Sequence, residues 1–259
     1  MPLRRELGTV FDLEAGARVV PAGSDVYRQG DICPAYYIVL NGWIALTVLL
    51  DDGSCQILDF ALPGAVLGFQ SGPGTPMYHS ARSLSVVRVY ALPRRKLDAI
   101  IEQNPRLAVL LCRQITADEA RAHDHLTNLG LRGARERIAR LLLEVYVRLR
   151  RRLPAEPGEI IHLPLSQSHI GQALGLTYVH VCRTLQIFAR AKGYSLCQPQ
   201  ARNHRSLGPG DSRRHRGRRP RLSTPSSISR TVPGELSGTP GCHPLFTWRV
   251  DARRKQHSR

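Results

Sequence analysis

Apolar residues in about the first ninety positions come in short runs broken by Gly, Asp and Pro, whereas beyond Asn104 they recur at helical spacing. The short runs Tyr36–Leu40, Trp43–Leu50 and Gln56–Phe60 are rich in β-branched, aromatic and aliphatic residues, which predicts half-buried strands. Val86–Leu92 closes the set, and the whole reads as a small all-β roll. Gly30, Gly42, Gly53, Gly64 and Gly68 mark its corners, where turns needing a positive φ explain glycine better than ligand contact does.

Pro105 suits the first turn of a helix, and about two dozen residues of helical spacing follow it. Leu107, Leu110, Leu111, Ile115, Ala122, Leu126 and Leu129 form a stripe at mixed three- and four-residue intervals. Such a stripe fits a seam between two parallel copies, or a face laid on the chain's own β-roll. A helix of about 35 Å outreaches one small domain, which favours the partner. Gly130 and Gly133 predict a hinge, and a second helix from Ala134 to about Arg151 carries Ile138, Leu141, Leu142, Val145 and Leu149 inward.

The stretch Leu165 to Gly193 holds the most chemistry. Ser166 can cap a helix whose apolar face is Ile170, Ala173 and Leu174, and Gly175 ends it in the left-handed conformation. Thr177 caps the next helix, where Val181, Leu185 and Phe188 face inward at helical spacing. This is a helix-turn-helix pattern. Near the N-terminus of a helix of this kind, side chains reach base edges in the DNA major groove. Arg183 can grip guanine O6 and N7 or clamp a phosphate, His180 can meet a purine N7 or the backbone, and Thr177 can touch a phosphate. The candidate DNA-binding set is Ser166, Thr177, Tyr178, His180, Cys182, Arg183 and Gln186.

From about Phe11 to Lys192 the chain resembles the Crp-Fnr family of bacterial transcription regulators. The resemblance rests on VYRQGD (Val26–Asp31), YYIVLNGWIAL (Tyr36–Leu46), the turn DDG (Asp51–Gly53) and LPGAVLGF (Leu62–Phe69), followed by the long helix and the helix-turn-helix in that order. It implies an α+β fold: a jelly-roll-like sensor at 1–103, a dimerisation helix at 104–130 and a helix-turn-helix domain at 131–194. It further implies a homodimer that binds double-stranded DNA and engages RNA polymerase.

Cyclic-nucleotide-binding relatives place a Glu for the ribose and an Arg for the cyclic phosphate in the loop after the Pro-Gly turn. This chain has Phe69 at the position matched to the acid and Met77 or a neighbour at that of the arginine. A loop without that charge cannot offer bidentate pairing, so cyclic AMP is not the expected effector. Gly68, Phe69, Gln70 and Arg82 remain the candidate pocket residues, Arg82 through a one-strand shift of the match.

Cysteines at 33, 55, 112, 182, 197 and 242 include no C-x-x-C pair, and none precedes Cys33, which argues against an iron–sulfur cluster. No cofactor or metal is expected. Cys33, Cys55 and Cys112 read as small core residues, whereas Cys182 beside Arg183 is a candidate redox site whose oxidation would block docking. With no secretory signal and no apolar run near twenty residues, the expected compartment is the cytoplasm, away from membranes. Zinc-peptidase, nucleophile-elbow and phosphate-loop motifs are missing, so no enzyme is expected.

The net charge of +17 qualifies this picture less than it suggests. Residues 195–259 hold 14 Lys and Arg against 3 Asp and Glu, leaving only a mildly basic front part. That stretch reads as a disordered basic tail, with RRHRGRRPR (Arg213–Arg221) able to add phosphate contacts. Relatives continue past the second helix into a β-hairpin wing, and here the pattern of a winged helix is lost. The wing is therefore expected to be missing or degraded, through a shifted reading frame or a natural tail. Two functions follow. One is a dimeric DNA-binding transcription regulator with an effector-sensing roll; the other is a ligand-binding or interaction module whose helix-turn-helix domain is defective.

Overall fold

The computed structural model describes residues 2–69, 72, 74–150, 159–190 and 246–250. Eight strands form the front domain: β1 (Ala17–Val20), β2 (Asp25–Tyr27), β3 (Ala35–Asn41), β4 (Ile44–Leu49), β5 (Cys55–Ala61), β6 (Val66–Leu67), β7 (Ser80–Ser83) and β8 (Val87–Pro93). They pair antiparallel in two four-stranded sheets, ordered β1-β8-β3-β6 and β2-β7-β4-β5.

Side-chain alternation along β3 explains its unbroken apolar run. Tyr37 and Val39 point between the sheets, whereas Ile38 and Leu40 point to a second core beneath helices. The strand β4 behaves alike: Ile44 and Leu46 face inward, and Trp43, at its start, and Ala45 face the C-terminal domain. Between β3 and β4 the chain turns on Gly42, at φ +83, where a Cβ would lie 2.4 Å from the Val86 carbonyl oxygen. Any other residue there would meet both backbone strain and a clash.

Two helices lie inside the span expected to be a roll alone. One, α1 (Pro2–Val10), buries Leu3 and Leu7; the other, α2 (Arg94–Gln103), buries Leu97. Both cover the outer face of the first sheet together with Leu107 and Leu111 of the long helix α3 (Arg106–Leu131). The apolar stripe of α3 is thus divided. Leu107 and Leu111 belong to the chain's own front domain, while Ile115 and Leu126 stay 46% and 65% exposed.

The joint after α3 is not made by glycine flexibility. Neither Gly130 nor Gly133 has a positive φ, and the direction changes at Arg132, which is extended. Polar bonds then fix the angle. Buried Asn128 donates to the Arg137 carbonyl, and the Arg137 guanidinium donates to the carbonyls of Arg132 and Leu174 at 2.8 and 3.3 Å.

The C-terminal domain contains α4 (Ala134–Arg150), β9 (Glu159–Leu163), α5 (Gln167–Leu174) and α6 (Tyr178–Arg190). Ile138, Leu141, Leu142 and Val145 enter its core as the spacing predicts. That core is shared with the roll, because Trp43, Ala45, Ile57, Phe60 and Leu62 belong to the same cluster as the helix residues. A bulge in the β4–β5 pairing, between Leu46 and Thr47, reaches β5 one residue beyond Ile57. An ionic contact seals the edge: Asp59 accepts from Arg148 of α4 at 2.7 Å and lies 3.6 Å from Arg121 of α3. Arg148 also donates to the Phe60 carbonyl at 2.6 Å.

Residues 246–250 correct the expectation of a tail without regular structure. Phe246–Val250 forms β10, paired antiparallel with β9 from Phe246 opposite Leu163 to Val250 opposite Glu159. Its sequence FTWRV is aromatic and β-branched, but averaging over a polar, basic stretch conceals it. The rest of that stretch, including Arg213–Arg221, lies outside the described residues, as does the region expected to hold a wing. Among the described residues no helix is long and apolar enough to cross a membrane.

Arg148→Ala leaves a carboxylate and a carbonyl without their donor at a half-buried edge. A loss of about 1–3 kcal/mol is expected, read as a lower urea midpoint with earlier solvent exposure of Trp43 by fluorescence. An unchanged midpoint would mean that the apolar contact alone holds the domains together.

Candidate nucleic-acid interface and effector cavity

The helix pair α5–α6 is built by local bonds that the sequence specifies. The Ser166 hydroxyl accepts from the His169 backbone N–H at 3.1 Å, and His169 Nδ1 accepts from the Ser166 N–H at 3.1 Å, a reciprocal cap. Gly175 closes α5 with φ +61 and ψ 37. Gly171 permits the turn to fold back: the Leu176 N–H donates to its carbonyl at 3.0 Å, and a Cβ there would lie 2.5 Å from the Leu176 oxygen. Thr177 Oγ1 accepts from the His180 N–H at 3.3 Å and so starts α6.

On α6, Val181, Thr184 and Leu185 are buried, and Phe188 is half-buried against the same core. Tyr178, His180, Arg183 and Gln186 are exposed. Cys182 is half-buried at the edge of this face, and its sulfur accepts from Gln186 Nε2 at 3.6 Å. Ser166 stands apart from the others. It starts the supporting helix with its hydroxyl engaged in the cap, and Thr177 spends its hydroxyl in the same way.

The outward face also contains a residue outside the candidate DNA-binding set. Val179 is 55% exposed, beside Arg183 one turn later. A helical wheel places it there; an apolar residue simply does not stand out as a DNA contact.

A cavity of about 390 Å³ opens between the roll and α3, lined by Leu46, Val66, Leu67, Phe69, His79 and Ile115 among others. Phe69 stacks on Tyr36 with centroids 4.2 Å apart, and the Arg94 guanidinium covers the other ring at 4.6 Å from its centroid. The Gly68 carbonyl accepts from Arg94 at 2.8 Å, and its φ of +98 makes it a turn residue. Arg82 is exposed on β7 and lines a different groove, against His169 and Gln172 of α5. The candidates Phe69 and Arg82 therefore do not converge, and Gln70 lies outside the described residues.

One side chain of the cavity wall, His79, belongs to a polar pair inside the roll. His79 Nε2 is 2.8 Å from the Tyr27 hydroxyl, and both residues are buried. Burial raises the Tyr27 phenol well above its usual range and lowers the His79 imidazole, so the phenol donates and the neutral ring accepts. Of the cysteines, Cys33 is buried and Cys55 half-buried, but Cys112 is exposed on α3, which corrects its reading as a core residue.

A β-roll carrying a helix-turn-helix whose second helix turns a polar face outward defines a class: transcription regulators with an effector-type domain in front of a DNA-binding one. Residues 17–104 match the family model described as cyclic nucleotide-binding domain, and residues 136–195 match the Crp-like helix-turn-helix domain. The chain is similar to the nitrogen fixation regulation protein FixK of Bradyrhizobium diazoefficiens, at 36% identity over 63% of this chain and 67% of that protein. It is also similar to the transcriptional activator protein Anr of Pseudomonas protegens, at 30% identity over 79% of this chain and 82% of the relative. The structure of FixK2 from Bradyrhizobium japonicum superposes with a TM-score of 0.61 at 29% identity, over 69% of this chain and 86% of that one. This chain belongs to the Crp-Fnr family and is a DNA-binding transcription regulator.

Because burial holds His79 neutral, its folded-state pKa lies below the ordinary value of 6.5. The stability that this neutral ring contributes is complete above pH ~6.5 and is lost as the pH falls through the lowered folded value. Thermal unfolding followed from pH ~7.5 to ~5 should show a steeper decline for the wild type than for His79→Gln. Parallel curves would remove His79 as the source.

Proposed function

We propose that the protein works as a homodimer in the cytoplasm, with α6 of each copy in the major groove of one operator half-site. The observation that carries this is the outward face of α6, where Arg183 and Gln186 stand exposed above a capped N-terminus while the opposite face is packed. Arg183 supplies the bidentate guanine contact, and Tyr178, His180 and Gln186 flank it. Ser166 and Thr177 act by setting the two helices through their caps. Contact with RNA polymerase follows from the activator relatives.

The seam of the dimer is the outer line of α3. Cys112, Ile115, Ala122 and Leu126 follow one another at three, seven and four residues and are all exposed along α3. Two such lines bury each other's apolar surface.

The cavity between roll and α3 receives the effector, and cyclic nucleotides are disfavoured there. Its lining cations, Arg121 and Arg148, are already engaged by Asp59 and Asp118, and Glu119 adds a further negative charge. A cyclic phosphate would arrive with no available arginine partner.

An operator selected from random duplex DNA provides the test. Arg183→Ala should weaken specific binding about tenfold to a hundredfold, equivalent to ~1–3 kcal/mol, with little change in nonspecific affinity. Leu126→Glu should sediment as a monomer and lose operator affinity in step. Undiminished specific binding by Arg183→Ala would overturn the docking; no selectable operator together with a measurable effector would favour the binding-module reading.

A further inference from the structure

The outward face of α6 carries a hydrophobic residue that neither packing nor helix propensity explains. At about 100° per residue, the buried set Val181, Thr184, Leu185 and Phe188 points one way, and Val179 points almost opposite, in line with Arg183 and Gln186. Valine is among the weaker helix formers and gains nothing from exposure to water. Yet it is 55% exposed in the first turn of the helix.

Its neighbours narrow what it can meet. No acidic residue lies in the first turn of α6, and the whole helix, YVHVCRTLQIFAR, contains no Asp or Glu. The face therefore has no carboxylate to accept from the cytosine amino group. The apolar group that the major groove does present is the thymine 5-methyl. Val179 offers two methyl groups at the position where a helix entering the groove approaches base edges first.

We propose that Val179 reads thymine in the operator half-site, by packing its γ-methyl groups on the 5-methyl group of that base. Resting on the docking of α6 in the major groove, this names a specificity residue for that docking. Four residues of helix rise about 6 Å, and base pairs stack about 3.4 Å apart, so the thymine lies within about two base pairs of the base held by Arg183. Arg183 and Val179 then act as a pair: one supplies charge and hydrogen bonds, the other excludes water from a methyl contact.

The experiment uses the full chain and an operator selected with it. Each thymine of one half-site is replaced in turn by uracil, which differs only by lacking the 5-methyl group, and affinities are measured for the wild type, Val179→Ala and Arg183→Ala. At one position the wild type should lose about threefold to tenfold in affinity, and Val179→Ala should be indifferent to the same replacement. Val179→Glu should shift preference at that base pair from thymine towards cytosine, whose amino group can donate to the new carboxylate. Val179→Ala should melt at or slightly above the wild-type temperature, since Val179 lies outside the buried core of the described residues and alanine is the better helix former. If uracil replacement affects the wild type and Val179→Ala equally at every position while Arg183→Ala still abolishes specific binding, the thymine contact is wrong and the groove docking stands. If Arg183→Ala also leaves specific binding intact, the docking itself fails.

Discussion

One shared apolar core ties the two domains of this regulator into a single body. Trp43, Phe60 and Leu62 from the roll pack among Leu142, Tyr146 and Leu174 from the helical domain. No polar joint could do this alone, since exposed ion pairs contribute little and burying charge is costly. Asp59, Arg148 and Arg121 act at the rim of that core, where they fix its angle and exclude water from its edge. The outward aim of α6 is a consequence. Its packed face is held to a body that the roll helps to build, so whatever shifts the β4–β5 sheet shifts this helix as well.

The cavity between the roll and α3 lies next to this joint. Asp59, Arg121 and Arg148 line the cavity and also make the ionic contact between domains. Under the proposed effector site, a molecule entering beside Phe69 and His79 would meet the same groups that orient the helical domain.

Much of this was legible in the sequence where periodicity was strong. The strands around Tyr37, Ala45 and Ile57 fall where alternating and aromatic runs place them, and the caps form as the hydroxyls of Ser166 and Thr177 and the missing Cβ of Gly175 dictate. What stayed hidden depends on contacts between distant segments. The helix α1 has only Leu3 and Leu7 to announce it, and its burial needs Leu107 and Leu111 from across the domain. Arg82 and Phe69 are close in sequence, but strand alternation sends Arg82 outward to the α5 groove. Gly130 and Gly133 resemble a hinge on composition, yet Asn128 and Arg137 make the joint by hydrogen bonds that no local pattern reveals. Val179 stands at the base-reading end of α6 by its spacing, but its exposure is visible only in the folded helix.

The pairing of β9 with β10 has a kinetic meaning. Leu163 and Phe246 are partners separated by roughly 80 residues of chain, so closing that ladder carries the entropy of a long loop and makes it a late event. On the ribosome, the helix pair is complete before its sheet partner has been synthesised. During that interval β9 presents an open edge to every nascent neighbour, and a truncated transcript would leave it open permanently.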